Sequence, residues 1–120
     1  MRKIIVSTLA VAGLAISPVL VPATASASPT LWGAIAVADD GAMGSAWNYR
    51  TKDEAKQAAM NECHGPNCEV LVSFTGCGAV SHSKFAREYN GRYGDTRWEA
   101  EDNARVHHDS VILKSVCNEY

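Results

Sequence analysis

The sequence predicts an α+β fold: a small antiparallel sheet with two helices on one face, built from a ββαβ unit written twice. Three observations carry this. Trp32-Gly33-Ala34-Ile35 returns as Cys77-Gly78-Ala79-Val80 at an offset of 45 residues. The same offset carries Thr51-Lys52-Asp53-Glu54-Ala55 onto Thr96-Arg97-Trp98-Glu99-Ala100. Both halves also read in the order strand, strand, helix, strand. Aligned without gaps, 32–63 and 77–108 share six identical positions. Self-similarity at a fixed period marks a repeated supersecondary unit, here with copies at about 32–76 and 77–117.

The elements follow in order. Trp32 to Val37 is apolar and β-compatible, and the Asp-Gly of Asp39-Asp40-Gly41 marks a hairpin turn. Met43 to Tyr49 is the returning strand. Thr51 and Glu54 form a capping box, in which the threonine hydroxyl accepts from a first-turn backbone N–H and the glutamate reaches back. Ala55, Ala58, Ala59 and Cys63 then recur at helical spacing, giving a small apolar face. Gly65-Pro66 stops the helix. Glu69 to Phe74 is apolar and β-branched, the pattern of a central strand. Cys77 to His82 opens the second copy, and Asn90-Gly91 reads as a turn between short strands. Thr96 and Glu99 form the second capping box, opening a helix expected to reach about His108. Val111 to Cys117 closes the chain as a strand. Trp32 and Trp47 are expected to flank one hairpin and bury large area in the core.

The chain begins with an export pattern. Arg2 and Lys3 precede an apolar run from Ile4 to Ile16, and Ala25-Ser26-Ala27 supplies a small-residue cleavage site. Residues 1–27 read as a signal peptide and 28–120 as one secreted domain. The apolar run is short for a bilayer span and no basic stop-transfer cluster follows it, so no stable membrane insertion is expected after cleavage. Of the 11 Lys and Arg, two lie in the leader; the remaining 9 against 13 Asp and Glu give the mature chain a net charge of −4. An acidic chain with no Lys/Arg cluster makes no case for nucleic acid or an anionic membrane.

A domain this small has a marginal core, and exported domains of this size commonly rely on disulfides. Four cysteines allow three pairings. Cys63 and Cys68 are separated by the turn-rich His64-Gly65-Pro66-Asn67, which favours pairing them and leaves Cys77 with Cys117. The competing reading, a metal site, needs protected thiolates, and Cys-x4-Cys is not a tight zinc spacing. No metal or cofactor is expected.

Trp32-Gly33-Ala34-Ile35-Ala36, Trp47-Asn48-Tyr49, the helix ending at Cys63, Cys68-Glu69-Val70-Leu71-Val72 with Phe74-Thr75, Cys77-Gly78-Ala79-Val80 and Val116-Cys117 together resemble the small secreted proteins of the "domain of unknown function 4189" family. The resemblance spans nearly all of the mature chain and implies a secreted or envelope-associated, disulfide-held domain. It transfers no functional residue. Arg50 stands where a proline is common, and the second helix is more polar than usual.

For catalysis the candidates are histidines. His64 lies in the expected bridged turn. His82 stands between Ser81 and Ser83, but no Gly-x-Ser-x-Gly elbow is present. His107-His108-Asp109 is the densest donor cluster, although adjacent histidines on a helix diverge by about 100° and rarely share a metal. In the duplicate alignment Asn103 and His108 replace Ala58 and Cys63, so they are either buried and hydrogen-bonded or part of an opened face. Glu99, Glu101 and Asp102 are accounted for by capping, the helix dipole and an i,i+4 pair of Glu101 with Arg105.

The aromatic residues suggest a contact surface. Trp98 sits in the first turn of a helix, where side chains are commonly exposed, and Tyr89 and Tyr93 sit in a glycine-containing segment. With Arg92 and Arg97 they form an expected interaction surface for a protein or glycan. The reading is a secreted, non-enzymatic binding module at the envelope or outside the cell. The alternatives are a small hydrolase using a histidine and a structural envelope component.

Overall fold

The computed structural model describes residues 30–119; the expected signal peptide and its cleavage site lie outside them. Eight elements follow the predicted order: β1 (Trp32–Val37), β2 (Met43–Tyr49), α1 (Lys52–Glu62), β3 (Glu69–Phe74), β4 (Cys77–Ser83), β5 (Glu88–Gly94), α2 (Arg97–Ala104) and β6 (Val111–Cys117). The threonine half of each expected capping box forms. The Thr51 and Thr96 hydroxyls each accept the backbone N–H three residues on, at 3.1 Å, and Glu99 reaches back to the Asp95 N–H at 2.8 Å.

Where one sheet with two helices on one face is expected, there are two sheets. Each has three antiparallel strands and comes from one copy, in the orders β2-β1-β3 and β5-β4-β6. The split follows from what the strands carry on their two faces. Ala34 and Ala36 of β1 and Ala46 of β2 are small and lie under Ala55 and Ala59 of α1. Ala79 of β4 lies under Ala100 and Ala104 of α2 in the same way. The bulky residues, Ile35, Val37, Val72, Phe74, Val80 and Val116, turn to the opposite faces and pack on one another. The two sheets therefore meet back to back, each covered on its outer face by its own helix.

The duplication extends to irregularities. β1 pairs with β3 with a register shift between Ile35 and Ala36, and β4 pairs with β6 with one between Val80 and Ser81, which is the same place at offset 45. In each case the extra residue on the outer strand is a leucine, Leu71 or Leu113. The offset on these last strands is 42, because α2 has 8 residues and α1 has 11.

The repeated glycine is explained by one ring. Phe74 is 2% exposed and lies between Gly33 of the first sheet and Gly78 of the second. A methyl group at Gly33 would come within 2.6 Å of its Cε2 and Cζ, and one at Gly78 would also strike the ring. Gly78 thus serves sheet–sheet contact, and only its neighbour Ala79 packs against a helix.

Three local expectations are corrected. The β4–β5 turn is at Lys84–Arg87, with Arg87 at φ 58°, and Asn90-Gly91 lies inside β5. Gly91 is there for close approach, since a Cβ would meet the Leu71 carbonyl oxygen at 2.8 Å. The second helix ends at Ala104, so His107 and His108 stand in the following turn. Trp47 is 48% exposed and does not belong to the core, while Trp32 is half-buried at its edge.

Candidate functional site

Both disulfides form as expected, Cys63–Cys68 and Cys77–Cys117, and no cysteine is free. The second joins directly paired residues of β4 and β6, with Cα atoms 4.0 Å apart. Among the described residues no three His, Cys, Asp or Glu side chains gather as metal ligands.

The histidines do not assemble with the serines beside them. His82 stacks on Tyr89 with ring centroids 4.6 Å apart. Ser81 and Ser83 point to the other face of β4, where the Ser81 hydroxyl donates to the Ala104 carbonyl at 2.5 Å. Both serines are fully buried. His64 is exposed in the bridged turn, and His108 is exposed with its ring edge-on to Phe85. Asn103 is exposed too and donates to the Tyr93 carbonyl at 2.9 Å. Asn103 and His108, the two positions that replace Ala58 and Cys63, thus face solvent.

A polar cluster that sequence reasoning did not assemble lies beyond the end of α2. Ser83 Oγ donates to Asp109 Oδ1 at 2.6 Å and accepts the Ala86 N–H at 2.9 Å, while the Phe85 N–H donates to Asp109 Oδ2 at 2.9 Å. His107 Nε2 bonds Glu88 Oε2 at 2.8 Å. The hydrogen bond from His107, helped by one from Asn90, lowers the Glu88 carboxyl below its ordinary range. The hydrogen bond from Ser83, with the Phe85 N–H, lowers Asp109 likewise.

The first copy shows what this cluster does. Both helix-to-strand connections have six residues, 63–68 and 105–110. In the first copy the connection is closed by Cys63–Cys68. In the second, Ser110 holds the place of Cys68 immediately before the strand, and its hydroxyl accepts the His107 N–H at 2.9 Å. Asp109 and His107 then tie the connection to the β4–β5 hairpin. Hydrogen bonds stand where the first copy has a covalent bond.

The five residues expected to form one interaction surface are distributed. Trp98 is 73% exposed and Tyr93 65% exposed. Tyr89 is half-buried under His82. Arg92 and Tyr93 are consecutive on β5 and so point to opposite faces. Arg97 is engaged by β6, donating to the Ser115 carbonyl and hydroxyl at 2.8 and 2.7 Å. The structure instead brings Tyr93 to Trp32 and Lys52, which with Ser73, Phe74 and Thr75 line a groove of about 290 Å³. The Lys52 ammonium lies 5.2 Å from the centre of the Trp32 ring, within cation–π range. Nothing local marked this pairing, because it joins the first strand of one copy to the second strand of the other.

Comparison with known proteins agrees with this architecture. The family model described as "Domain of unknown function (DUF4189)" matches residues 32–118. The uncharacterized protein Rv1813c of Mycobacterium tuberculosis is 40% identical over 94 residues, which is 78% of this chain and 57% of that protein. Protein Rv1269c of the same organism is 41% identical over 66 residues, 55% of this chain and 52% of that one. The chain thus spans little more than half the length of these relatives. The NMR structure of Rv1813c superposes with a TM-score of 0.62 at 36% identity, covering 98% of this chain and 90% of that one.

Proposed function

Because this chain belongs to the DUF4189 family, whose description names no activity, we propose a function from its own leader and surface. It is a small disulfide-stabilised protein, exported by its N-terminal leader, and acts as a non-enzymatic binding module at the cell envelope or outside the cell. Its two disulfides suit an oxidising compartment, and no helix of the described residues is long and apolar enough to cross a membrane.

The observation that carries the binding reading is the groove of Trp32, Lys52 and Tyr93. Its walls are aromatic, with a cation on the Trp32 ring and the hydroxyl residues Ser73 and Thr75 beside them. Aromatic anchors with a polar rim are the composition of protein and glycan contacts. Two measurements test the reading. Fractionation with N-terminal peptide mapping should place the protein outside the membrane with Ser28 as its first residue; retention in the cytosol with Arg2 and Lys3 intact refutes export. Binding to envelope glycans and extracellular proteins should fall for Tyr93→Ala and Lys52→Ala and remain for His64→Ala. Equal binding by all three variants removes the groove from the proposal.

A further inference from the structure

Four strands lie at sheet edges: β2 and β3 in the first sheet, β5 and β6 in the second. An edge strand presents unpaired N–H and C=O groups, and proteins usually blunt it with charge or proline. β3 carries Glu69, β5 carries Glu88 and Arg92, and β6 carries Lys114. β2 reads Met43-Gly44-Ser45-Ala46-Trp47-Asn48-Tyr49, seven residues with neither charge nor proline. β5 is its counterpart in the second copy, so only one of two equivalent edges is bare.

A groove of about 470 Å³ runs along that edge. Met43 to Trp47 form its length, Glu62 at the end of α1 flanks it on one side, and Lys114 of β6 flanks it on the other. Alternate residues of an antiparallel edge turn both backbone groups outward. Asn48 closes one end, because its N–H donates to Asn118 Oδ1 at 2.7 Å and its Oδ1 accepts the Glu119 N–H at 2.7 Å. Trp47 leaves nearly half of its surface exposed beside that end.

We infer that β2 is a docking edge for an extended peptide of a partner protein, which joins the first sheet as a fourth strand at Met43–Trp47. Successive side chains of such a peptide point to opposite faces. One face meets Glu62 on the helix side, and the other meets Lys114 on the side of the second sheet. The matching peptide therefore alternates a basic residue with an acidic one, among apolar neighbours. A second copy of this chain fits less well, because two-fold pairing of β2 with itself sets Glu62 on the same face as Glu62 and Lys114 on the same face as Lys114. The inference deepens the binding-module reading by naming a partner class. It uses none of the residues that line the Trp32–Tyr93 groove, so either can fail while the other stands.

The probe is a set of short synthetic peptides with alternating Lys and Glu among valines, titrated into the ¹⁵N-labelled, disulfide-bonded protein. The expected result is amide shifts confined to 43–47 and their neighbours at Glu62 and Lys114. N-methylation of one alternate set of peptide residues should abolish binding, and methylation of the other set should leave it intact. Lys114→Glu alters an exposed side chain and keeps the fold. It should weaken the Lys/Glu peptide about tenfold and strengthen an all-Lys counterpart. Absence of binding by every peptide, shifts centred elsewhere, or indifference to N-methylation overturns the inference. Concentration-dependent dimerisation through β2 without peptide overturns it in favour of self-association.

Discussion

Replacing Gly78 with alanine drives a methyl group into the Phe74 ring, since the three nearest atoms to a Cβ there all belong to that side chain. Overpacking of this kind costs about 1–3 kcal/mol, and in a domain of this size each kcal/mol lowers Tm by about 4–8 °C. Gly33→Ala meets the same ring but also the Ala46 carbonyl oxygen, at 2.8 Å. The two glycines should therefore respond differently when the ring is trimmed. In a Phe74→Leu background, which costs less than the about 3–5 kcal/mol of Phe→Ala, Gly78→Ala should become nearly free. Gly33→Ala should keep part of its cost, because backbone cannot move aside as a side chain can. The assay is a double-mutant cycle by urea unfolding, with a coupling of about 1–3 kcal/mol for Gly78 and Phe74 and a smaller one for Gly33 and Phe74. Additive costs for Gly78 and Phe74, or equal couplings for the two glycines, would refute the claim that one ring spaces the two sheets.

Other perturbations separate the two copies. Cys77–Cys117 closes a separation of 40 residues and Cys63–Cys68 one of 5, so in the chain-entropy account they contribute about 4 and about 2 kcal/mol. Melting of the two Cys→Ala double variants should show the larger loss for the 77/117 pair; a larger loss for 63/68 contradicts this. Glu88 and Asp109 are both lowered by hydrogen bonds made in the fold. Their contribution is complete above the ordinary carboxylate range, about pH 4, and is lost as pH falls through their depressed values. The protection of the Phe85 and Ala86 amides against exchange, taken relative to the unstructured rate at each pH, should therefore fall in acid, while protection in the bridged turn at 63–68 changes little. Asp109→Asn should reproduce the effect at neutral pH. Thr51→Ala and Thr96→Ala should each cost about 1 kcal/mol, measured by urea unfolding; a cost for only one would mean that the equivalent caps are not equivalent in energy.

The parts of this fold that follow from local chemistry were legible. Asp-Gly, the two Thr-x-x-Glu boxes and the β-branched run at Glu69–Phe74 each satisfy their own backbone, so their signals survive folding. The Lys84–Arg87 turn was not legible, because no Gly, Pro, Asn or Asp marks it. Asp109 and Ser83 hold it from outside, and Asp109 is distant in sequence. Asn90-Gly91 misled for a related reason: glycine serves tight turns and close backbone approach alike, and here Leu71 sets the need. The end of α2 was overestimated because His107 and Asp109 are drawn to the hairpin, a pull with no counterpart in helical periodicity. The division into two sheets depended on seeing that each strand has a small face and a bulky one. At the candidate site, the exposure of Trp98 and Tyr93 was legible from position. The pairing of Tyr93 with Trp32 and Lys52 was not, because it arises only when the copies stack.

Each half of the chain completes its own sheet, and Thr75 and Gly76 alone connect β3 to β4. A joint this short between two self-contained halves invites exchange: the second half of one molecule could dock on the first half of another and bury the same Phe74 ring. Asn118 stands against that outcome. Its amide nitrogen lies 3.2, 3.1 and 3.3 Å from the carbonyl oxygens of Phe74, Thr75 and Gly76, and its oxygen takes the Asn48 N–H. The Asn118 side chain thus braces the joint in its bent form.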